Sequence, residues 1–196
     1  MLAATGARVI GVEPNEEMRG KITDTNFEVV ARQANETGLP EKSCDLVTAF
    51  QAFHWFATSD AMQEFRRILR PGGRLAVVRN ARDDSDAFTG GYGDIFEKPR
   101  GNEMRKSMRF GSETTLHIIG ENEFVNGRLH SIFWSQPMRL GDLLGRARSI
   151  SYMPRGTAAD ELLRKIEHWH GEHANEQGFA DFKYRTDIYL AESQDR

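Results

Sequence analysis

Four short apolar runs, each bounded by polar residues, glycine or proline, lie in the first part of the chain. Runs of this length are typical of strands that are buried on both faces of a sheet. They predict strands at residues 8–13, 27–31, 45–50 and 75–78.

The clearest helical pattern lies between the last two runs. Thr58 or Ser59 can cap this helix, and four apolar residues recur at helical spacing after it: Met62, Phe65, Ile68 and Leu69. The sequence Pro-Gly-Gly at residues 71–73 predicts its end, because proline cannot extend a helix and glycine accepts a positive φ. Strands and helices in this order imply right-handed crossovers and an α/β fold with a mainly parallel sheet.

Weaker patterns complete the prediction. Gly6 predicts the end of an N-terminal helix, and Asn15 predicts the cap of a short helix over residues 15–21. The second half of the chain predicts a strand at 129–134, helices at 141–148 and 158–173, and a closing antiparallel strand at 179–191. We expect a single domain over residues 1–196, with helical or irregular insertions at 83–109 and 141–173.

Composition narrows the class of protein. The net charge of −3 argues against a nucleic-acid surface. The single cysteine, Cys44, excludes an internal disulfide and fits a cytoplasmic location. The chain shows neither a leader nor an apolar run of membrane-spanning length, so we expect no membrane association. Five arginines near the predicted helix are interpreted as its solvated face and flanks: Arg66, Arg67, Arg70, Arg74 and Arg79.

The most specific indication of a binding site lies at the end of the first predicted strand. Its apolar residues are followed by Glu13 and then by Pro14, which stops the strand. In nucleotide-binding α/β sheets, an acidic residue at the carboxyl end of a parallel strand binds both hydroxyls of a ribose. The alternative is an ordinary strand whose terminal Glu is solvated. A glycine-rich turn should precede such an acidic residue by about 20 residues, so we expect the chain to begin after that turn.

Four sequence segments resemble one family of proteins. They are Val-Ile-Gly-Val-Glu-Pro-Asn at 9–15, Ala-Asn-Glu-Thr-Gly-Leu-Pro at 34–40, Asp-Leu-Val-Thr-Ala-Phe-Gln-Ala-Phe-His-Trp at 45–55, and Leu-Arg-Pro-Gly-Gly at 69–73. In this order they resemble class I S-adenosylmethionine-dependent methyltransferases, most closely the small-molecule branch with trans-aconitate and ubiquinone/menaquinone-type enzymes. Ser-Ile-Ser-Tyr at 149–152 and the segment 184–189 resemble the branch less specifically.

The resemblance implies a Rossmann-like fold, truncated at its N-terminus, with S-adenosylmethionine as cofactor. It implies that Glu13 holds the ribose, that Pro14 also belongs to the cofactor site, and that Ala34 and Asn35 contact the adenine. Asn35 replaces the usual acidic residue, but its amide oxygen can still accept from the adenine amino group. Gln51 and Ala52 would contact the methionine and methyl region of the cofactor.

The resemblance also implies a small-molecule acceptor, with Trp55 and Tyr152 in the substrate wall and the two insertions on the substrate side. His54 could act as a general base, because an imidazole titrates near neutral pH. A methyl sulfonium is already activated, however, and alignment alone can supply up to about 11 kcal/mol. Both interpretations of His54 stay open.

A metal site is not expected. His168, His170 and His173 lie on one predicted helix, but His168 falls nearly opposite His170 at 3.6 residues per turn. We interpret these histidines as part of a solvated face.

Two hypotheses follow for the whole chain. The first is methyl transfer from S-adenosylmethionine to a small molecule, and the second is a non-catalytic methyltransferase-fold remnant or interaction module. The family's central strand should lie between residues 8–13 and 45–50, and it is absent from this sequence. We therefore expect those strands to pair directly, or a new strand or second chain to fill the gap, as in a homodimer.

Overall fold

The computed structural model describes residues 2–23, 27–97, 112–150 and 153–194. The chain divides into two compact units. The first contains Met1–Val78, Ser112–Leu129 and Tyr189–Arg196, and the second contains Arg79–Gly111 and His130–Ile188. The single domain expected from the sequence stays a prediction.

The N-terminal elements follow the predicted boundaries closely. A 3₁₀ turn, Ala3–Thr5, ends at Gly6, whose φ of 85° is in the left-handed region that glycine tolerates. Strand β1 is Ile10–Val12, helix α1 is Glu16–Arg19 and strand β2 is Glu28–Val30. The Asn15 side chain accepts a hydrogen bond from the Met18 N–H, as the cap prediction required. Strands β1 and β2 pair in parallel.

The next three elements are strand β3 (Cys44–Phe50), helix α2 (Ser59–Ile68) and strand β4 (Leu69–Arg82). Thr58 caps α2 through a hydrogen bond from the Ala61 N–H. The helix ends at Ile68, before Pro71 and the two glycines, because Leu69 already has an extended backbone and pairs with Cys44. The glycines instead form an irregularity inside β4.

The remaining described elements complete the fold. They are a 3₁₀ turn at Phe53–Trp55 and, after β4, helices α3 (Ala87–Glu97) and α4 (Ser112–Glu121), strand β5 (Phe124–Met138), helices α5 (Leu140–Ser149) and α6 (Thr157–His173), and strand β6 (Ala180–Ser193). The predicted insertion at 83–109 contains α3, while its residues 98–109 lie outside the described part. Strand β5 is much longer than predicted, and α4 was not predicted.

The strands form two sheets. Strands β1 and β2 form one, and the other has the order β3-β4-β6-β5. The β3–β4 pair is parallel, with Phe50 opposite Val78. The α/β prediction is confirmed. No helix within the described ranges is both long enough and apolar enough to cross a bilayer.

Each unit has its own hydrophobic core. In the first unit, α2 contributes Ala61, Met62, Phe65 and Ile68, all at most 4% exposed, so the helix is firmly anchored. The second core is built on α3, α5, α6 and β6, with Tyr92, Leu143, Ile166 and Phe182 fully buried.

The predicted direct pairing of the first and third strands is wrong. Among the described residues, β1 pairs with β2 and β3 pairs with β4, and the two sheets are separate. The prediction assumed that unpaired backbone groups at these edges would be buried. Leu46 and Phe50 of β3 are instead 45% and 53% exposed, so this strand is partly open to solvent and the penalty assumed for full burial is reduced.

Candidate functional site

The turn after β1 holds Glu13 in a fixed orientation. Its half-buried carboxylate accepts a hydrogen bond from the Asn15 N–H at 2.8 Å through Oε1. Arg19 donates to the carbonyl oxygens of Glu13 and Pro14 at 2.9 and 2.6 Å, which braces the turn. The second carboxylate oxygen has no hydrogen-bond partner among the described residues, so it can accept from a ligand.

The turn after β2 presents Ala34 and Asn35. It is closed by a bridge between Gln33 and Glu36, with the Glu36 N–H donating to the Gln33 carbonyl at 3.1 Å. Ala34 is half-buried against the first core, whereas Asn35 is exposed. The amide of Asn35 is therefore available to a ligand, and the small Ala34 anchors the turn.

This turn is attached to α2 by a buried carboxylate. Glu64, 8% exposed, accepts hydrogen bonds from the Thr37 N–H at 2.9 Å and the Thr37 hydroxyl at 2.5 Å. Arg67 donates to both Glu64 oxygens at 2.6 and 2.8 Å, and to the Leu39 carbonyl at 2.6 Å. The hydrogen bonds from Arg67 and then Thr37 lower the pKa of Glu64 from 4.5 to about 2, against the opposing effect of burial.

The segment after β3 begins with an unusual backbone conformation. Gln51 has a φ of 55°, and its N–H donates to the Val78 carbonyl of β4 at 2.9 Å. A positive φ at a residue other than glycine costs free energy and is found preferentially at functional sites. Ala52 follows and is half-buried.

The 3₁₀ turn of this segment exposes its aromatic residues unequally. Phe53 is 5% exposed and belongs to the first core. His54 is exposed and its ring lies 4.7 Å from that of Trp55, which is 81% exposed. An imidazole and an indole are thus presented together to solvent at the carboxyl end of β3.

The structure brings some of the predicted site residues together. Glu13 lies at the end of β1 beside the end of β2, because its N–H donates to the Val30 carbonyl at 3.2 Å. Ala34 and Asn35 lie in the turn that follows β2, the strand paired with β1. Gln51 lies beside β4 of the other sheet, because its N–H donates to the Val78 carbonyl, and Ala52 follows it in the chain. Tyr152 lies outside the described residues.

Three residues of this site were missed by sequence reasoning. Thr37, Glu64 and Arg67 were assigned no role in the candidate site, although Glu64 and Arg67 stand three positions apart on one helix, a spacing that permits an ion pair. The interpretation of the arginines as a solvated face is also wrong for Arg66, whose side chain is 17% exposed and paired with Glu123.

The three histidines of α6 each have a separate partner. His168 pairs with Glu172, His170 contacts the Met138 carbonyl and His173 contacts the Trp169 carbonyl. Within the described ranges, no group of three or more potential metal-ligating side chains is present. An open cleft of about 280 Å³ is lined by Arg67 and Arg70, and a second of about 330 Å³ is lined by residues such as Asp86.

Comparison with known proteins adds independent evidence. A methyltransferase domain family model matches residues 1–77. An uncharacterised methyltransferase of Schizosaccharomyces pombe is 32% identical to the chain, with 98% of this chain and 77% of the relative covered. An uncharacterised methyltransferase of Mycobacterium tuberculosis is 29% identical, with 91% and 72% covered.

Solved structures agree on the fold. A candidate methyltransferase from an antibiotic biosynthesis pathway of Anabaena variabilis has a TM-score of 0.62 at 21% identity, with 96% of this chain and 83% of that chain covered. A candidate type II methyltransferase from Anaeromyxobacter dehalogenans has a TM-score of 0.59 at 21% identity, with 95% and 80% covered. The chain therefore belongs to the class I S-adenosylmethionine-dependent methyltransferase family, whose fold is Rossmann-like and whose cofactor is S-adenosylmethionine.

Proposed function

We propose that this chain binds S-adenosylmethionine through Glu13 and the turn at residues 34–35, and that it transfers the cofactor's methyl group to a small-molecule acceptor. The observation that carries the proposal is the half-buried Glu13 carboxylate at the carboxyl end of β1, oriented by the Asn15 N–H. A carboxylate held in this way can accept from both ribose hydroxyls without first paying to order its own side chain.

The cofactor-binding residues fit the nucleoside part of S-adenosylmethionine. Pro14 stops β1 directly after Glu13, so the chain turns away and leaves the carboxylate accessible. The exposed Asn35 amide can accept from the adenine amino group, and Ala34 is small enough to permit close approach of the ring. Gln51 and Ala52 would contact the methionine and methyl region.

S-adenosylmethionine, when bound, supplies a methyl group that is already activated as a sulfonium. The contribution asked of the protein is therefore to hold the acceptor in line and to exclude water. The exposed Trp55 ring provides an apolar wall for a small acceptor, and Tyr152 is proposed as a second wall residue. His54 beside Trp55 would accept the proton that an acceptor hydroxyl or acid releases.

A second candidate function is a non-catalytic methyltransferase-fold protein that acts as an interaction module. The observation that favours it is the edge of β3, which carries the exposed apolar side chains of Leu46 and Phe50 and pairs with no second strand among the described residues. Relatives named as methyltransferases over almost the whole chain favour the first candidate. The homodimer and the cytoplasmic location expected from the sequence stay predictions.

Titration calorimetry with S-adenosylhomocysteine tests cofactor binding. We expect weak binding, with a Kd of roughly 0.1–1 mM, because the contacts identified here involve mainly the ribose and adenine. Glu13→Ala should weaken binding at least tenfold, since a hydrogen bond to a charged group contributes about 1.5–3 kcal/mol. Glu17→Ala, which removes an exposed carboxylate of α1, is the matched control and should leave the Kd unchanged. An unmutated chain that shows no binding at millimolar ligand would support the non-catalytic candidate.

Methyl transfer from labelled S-adenosylmethionine to small carboxylic acids and hydroquinones tests the second half of the proposal. If His54 is the base, His54→Ala should lower the rate about a hundredfold and change the shape of the pH–rate profile. If alignment dominates, the rate should fall only a few fold with an unchanged profile. That second outcome would remove His54 from the mechanism.

A further inference from the structure

We propose that Glu64 is a positioning residue that fixes the turn at residues 34–35 in its adenine-binding conformation. This inference rests on the proposed function, because it assigns Glu64 a role toward the nucleoside through residues that Glu64 itself holds. Glu64 does not belong to the turn: it lies on α2, and 27 positions separate it from Thr37 along the chain.

The contacts show how one side chain controls the segment that follows the turn. Thr37 is 3% exposed, and both its N–H and its hydroxyl donate to the same Glu64 oxygen. The Thr37 hydroxyl in turn accepts from the Leu39 N–H at 3.2 Å. The Leu39 carbonyl accepts from Arg67, which Glu64 orients through two further hydrogen bonds. Thr37 and Leu39 are therefore both tied to one carboxylate.

A carboxylate suits this position for a specific reason. Four N–H or O–H groups converge on Glu64, and an ionised carboxylate can accept all of them because it donates none. A glutamine amide has one oxygen and two donor hydrogens, so one end of it would face the Arg67 donors without accepting. The low pKa of Glu64 keeps the group ionised at neutral pH.

We call the contacts of Glu64 with Thr37 and Arg67 the clamp. Helix α2, which carries Glu64, is firmly packed. Helix α2 buries Met62 and Phe65 on either side of Glu64 along the chain, at 0% and 4% exposure. A binding residue is precise when the groups that support it are held by packing and hydrogen bonds. The exposed Asn35, two residues before Thr37, gains its fixed position from this support.

The test compares two ligands that differ in the adenine. S-adenosylhomocysteine carries the base, whereas S-ribosylhomocysteine has the same ribose and homocysteine without it. We expect Glu64→Gln to weaken binding of S-adenosylhomocysteine about tenfold and to leave binding of S-ribosylhomocysteine unchanged. Hydrogen exchange of the Thr37 amide in the ligand-free chain should become at least tenfold faster. Gln63→Ala, an exposed neighbour on α2, is the matched control for both measurements.

The outcomes separate this inference from the proposed function. Equal losses for the two ligands, or no loss for either while Glu64→Gln is folded, would overturn the positioning role and leave cofactor binding standing. A wild-type chain that binds neither ligand would overturn both. If Glu64→Gln does not fold, Thr37→Val replaces the hydroxyl with a methyl group, and this variant must then show the same selective loss for S-adenosylhomocysteine.

Discussion

The segments after β2 and after β3 both belong to the candidate site, but they are built in opposite ways. The first, residues 33–39, is tied to α2 through Glu64 and Arg67, with Thr37 almost completely buried. The second, residues 51–55, begins with a positive φ at Gln51 and ends with Trp55, which is 81% exposed. Residues 33–39 are preorganised by hydrogen bonds. Residues 51–55 begin with a strained backbone at Gln51 and expose the side chains of His54 and Trp55.

We infer from this difference that the two segments have different roles, the first in cofactor recognition and the second in binding the acceptor. A nucleoside is rigid and polar, so a turn fixed before binding recognises it without losing conformational entropy at that moment. In the proposed function, Trp55 would form an apolar wall for the methyl acceptor, and His54 would accept a proton if the reaction uses a base. We expect the first segment to respond to mutation mainly through stability and cofactor affinity, and the second mainly through catalysis.

The largest effect should come from breaking the clamp. Glu64→Ala should lower the free energy of unfolding by about 2–4 kcal/mol, because it leaves the buried Thr37 donors without an acceptor and Arg67 without its partner. Urea unfolding followed by circular dichroism measures the change. Glu161→Ala, which removes an exposed carboxylate from α6, should change stability by less than about 0.5 kcal/mol. A Glu64→Ala variant as stable as that control would show that the first segment is not held by this network.

The same clamp predicts a pH dependence. The pKa of Glu64 is lowered from 4.5 to about 2 in the folded chain, so the ionised carboxylate stabilises the fold above pH 4.5. This contribution is lost as the pH falls from 4.5 through 2, and it amounts to about 2–3 kcal/mol once solvent screening of Arg67 is allowed for. Unfolding free energies measured across this window for wild type and Glu64→Gln should converge toward low pH. Parallel curves would contradict the assignment.

The smallest effect concerns the strained start of the second segment. Gln51→Gly should relieve the positive φ and stabilise the chain by up to about 1 kcal/mol, partly offset by the greater freedom of glycine when unfolded. Ala52→Gly is the matched comparison, because Ala52 has a φ of −116° and glycine should destabilise there. Thermal unfolding of the two variants gives the comparison. Destabilisation by Gln51→Gly equal to that by Ala52→Gly would show that the Gln51 backbone carries no strain.

The sequence alone determined the α/β class and much of the first half of the chain. Glycine at position 6, Asn15 and Thr58 act within their own turns, so their local chemistry is sufficient to predict where elements begin or end. The apolar runs of β1, β2 and β3 were equally clear. The acidic end of β1 was visible because Glu13 and Pro14 interrupt an apolar run.

Only the tertiary structure decided the length of the later strands, the separation of the two sheets and the clamp on the turn after β2. Strand β4 continues into the mainly polar residues 79–82 because its neighbours in the sheet satisfy its backbone, whatever its side chains prefer. Glu64 and Thr37 meet only because α2 packs against the segment after β2. A contact between residues so distant in sequence leaves no periodic signal in either segment, and its energy depends on burial that the fold alone creates.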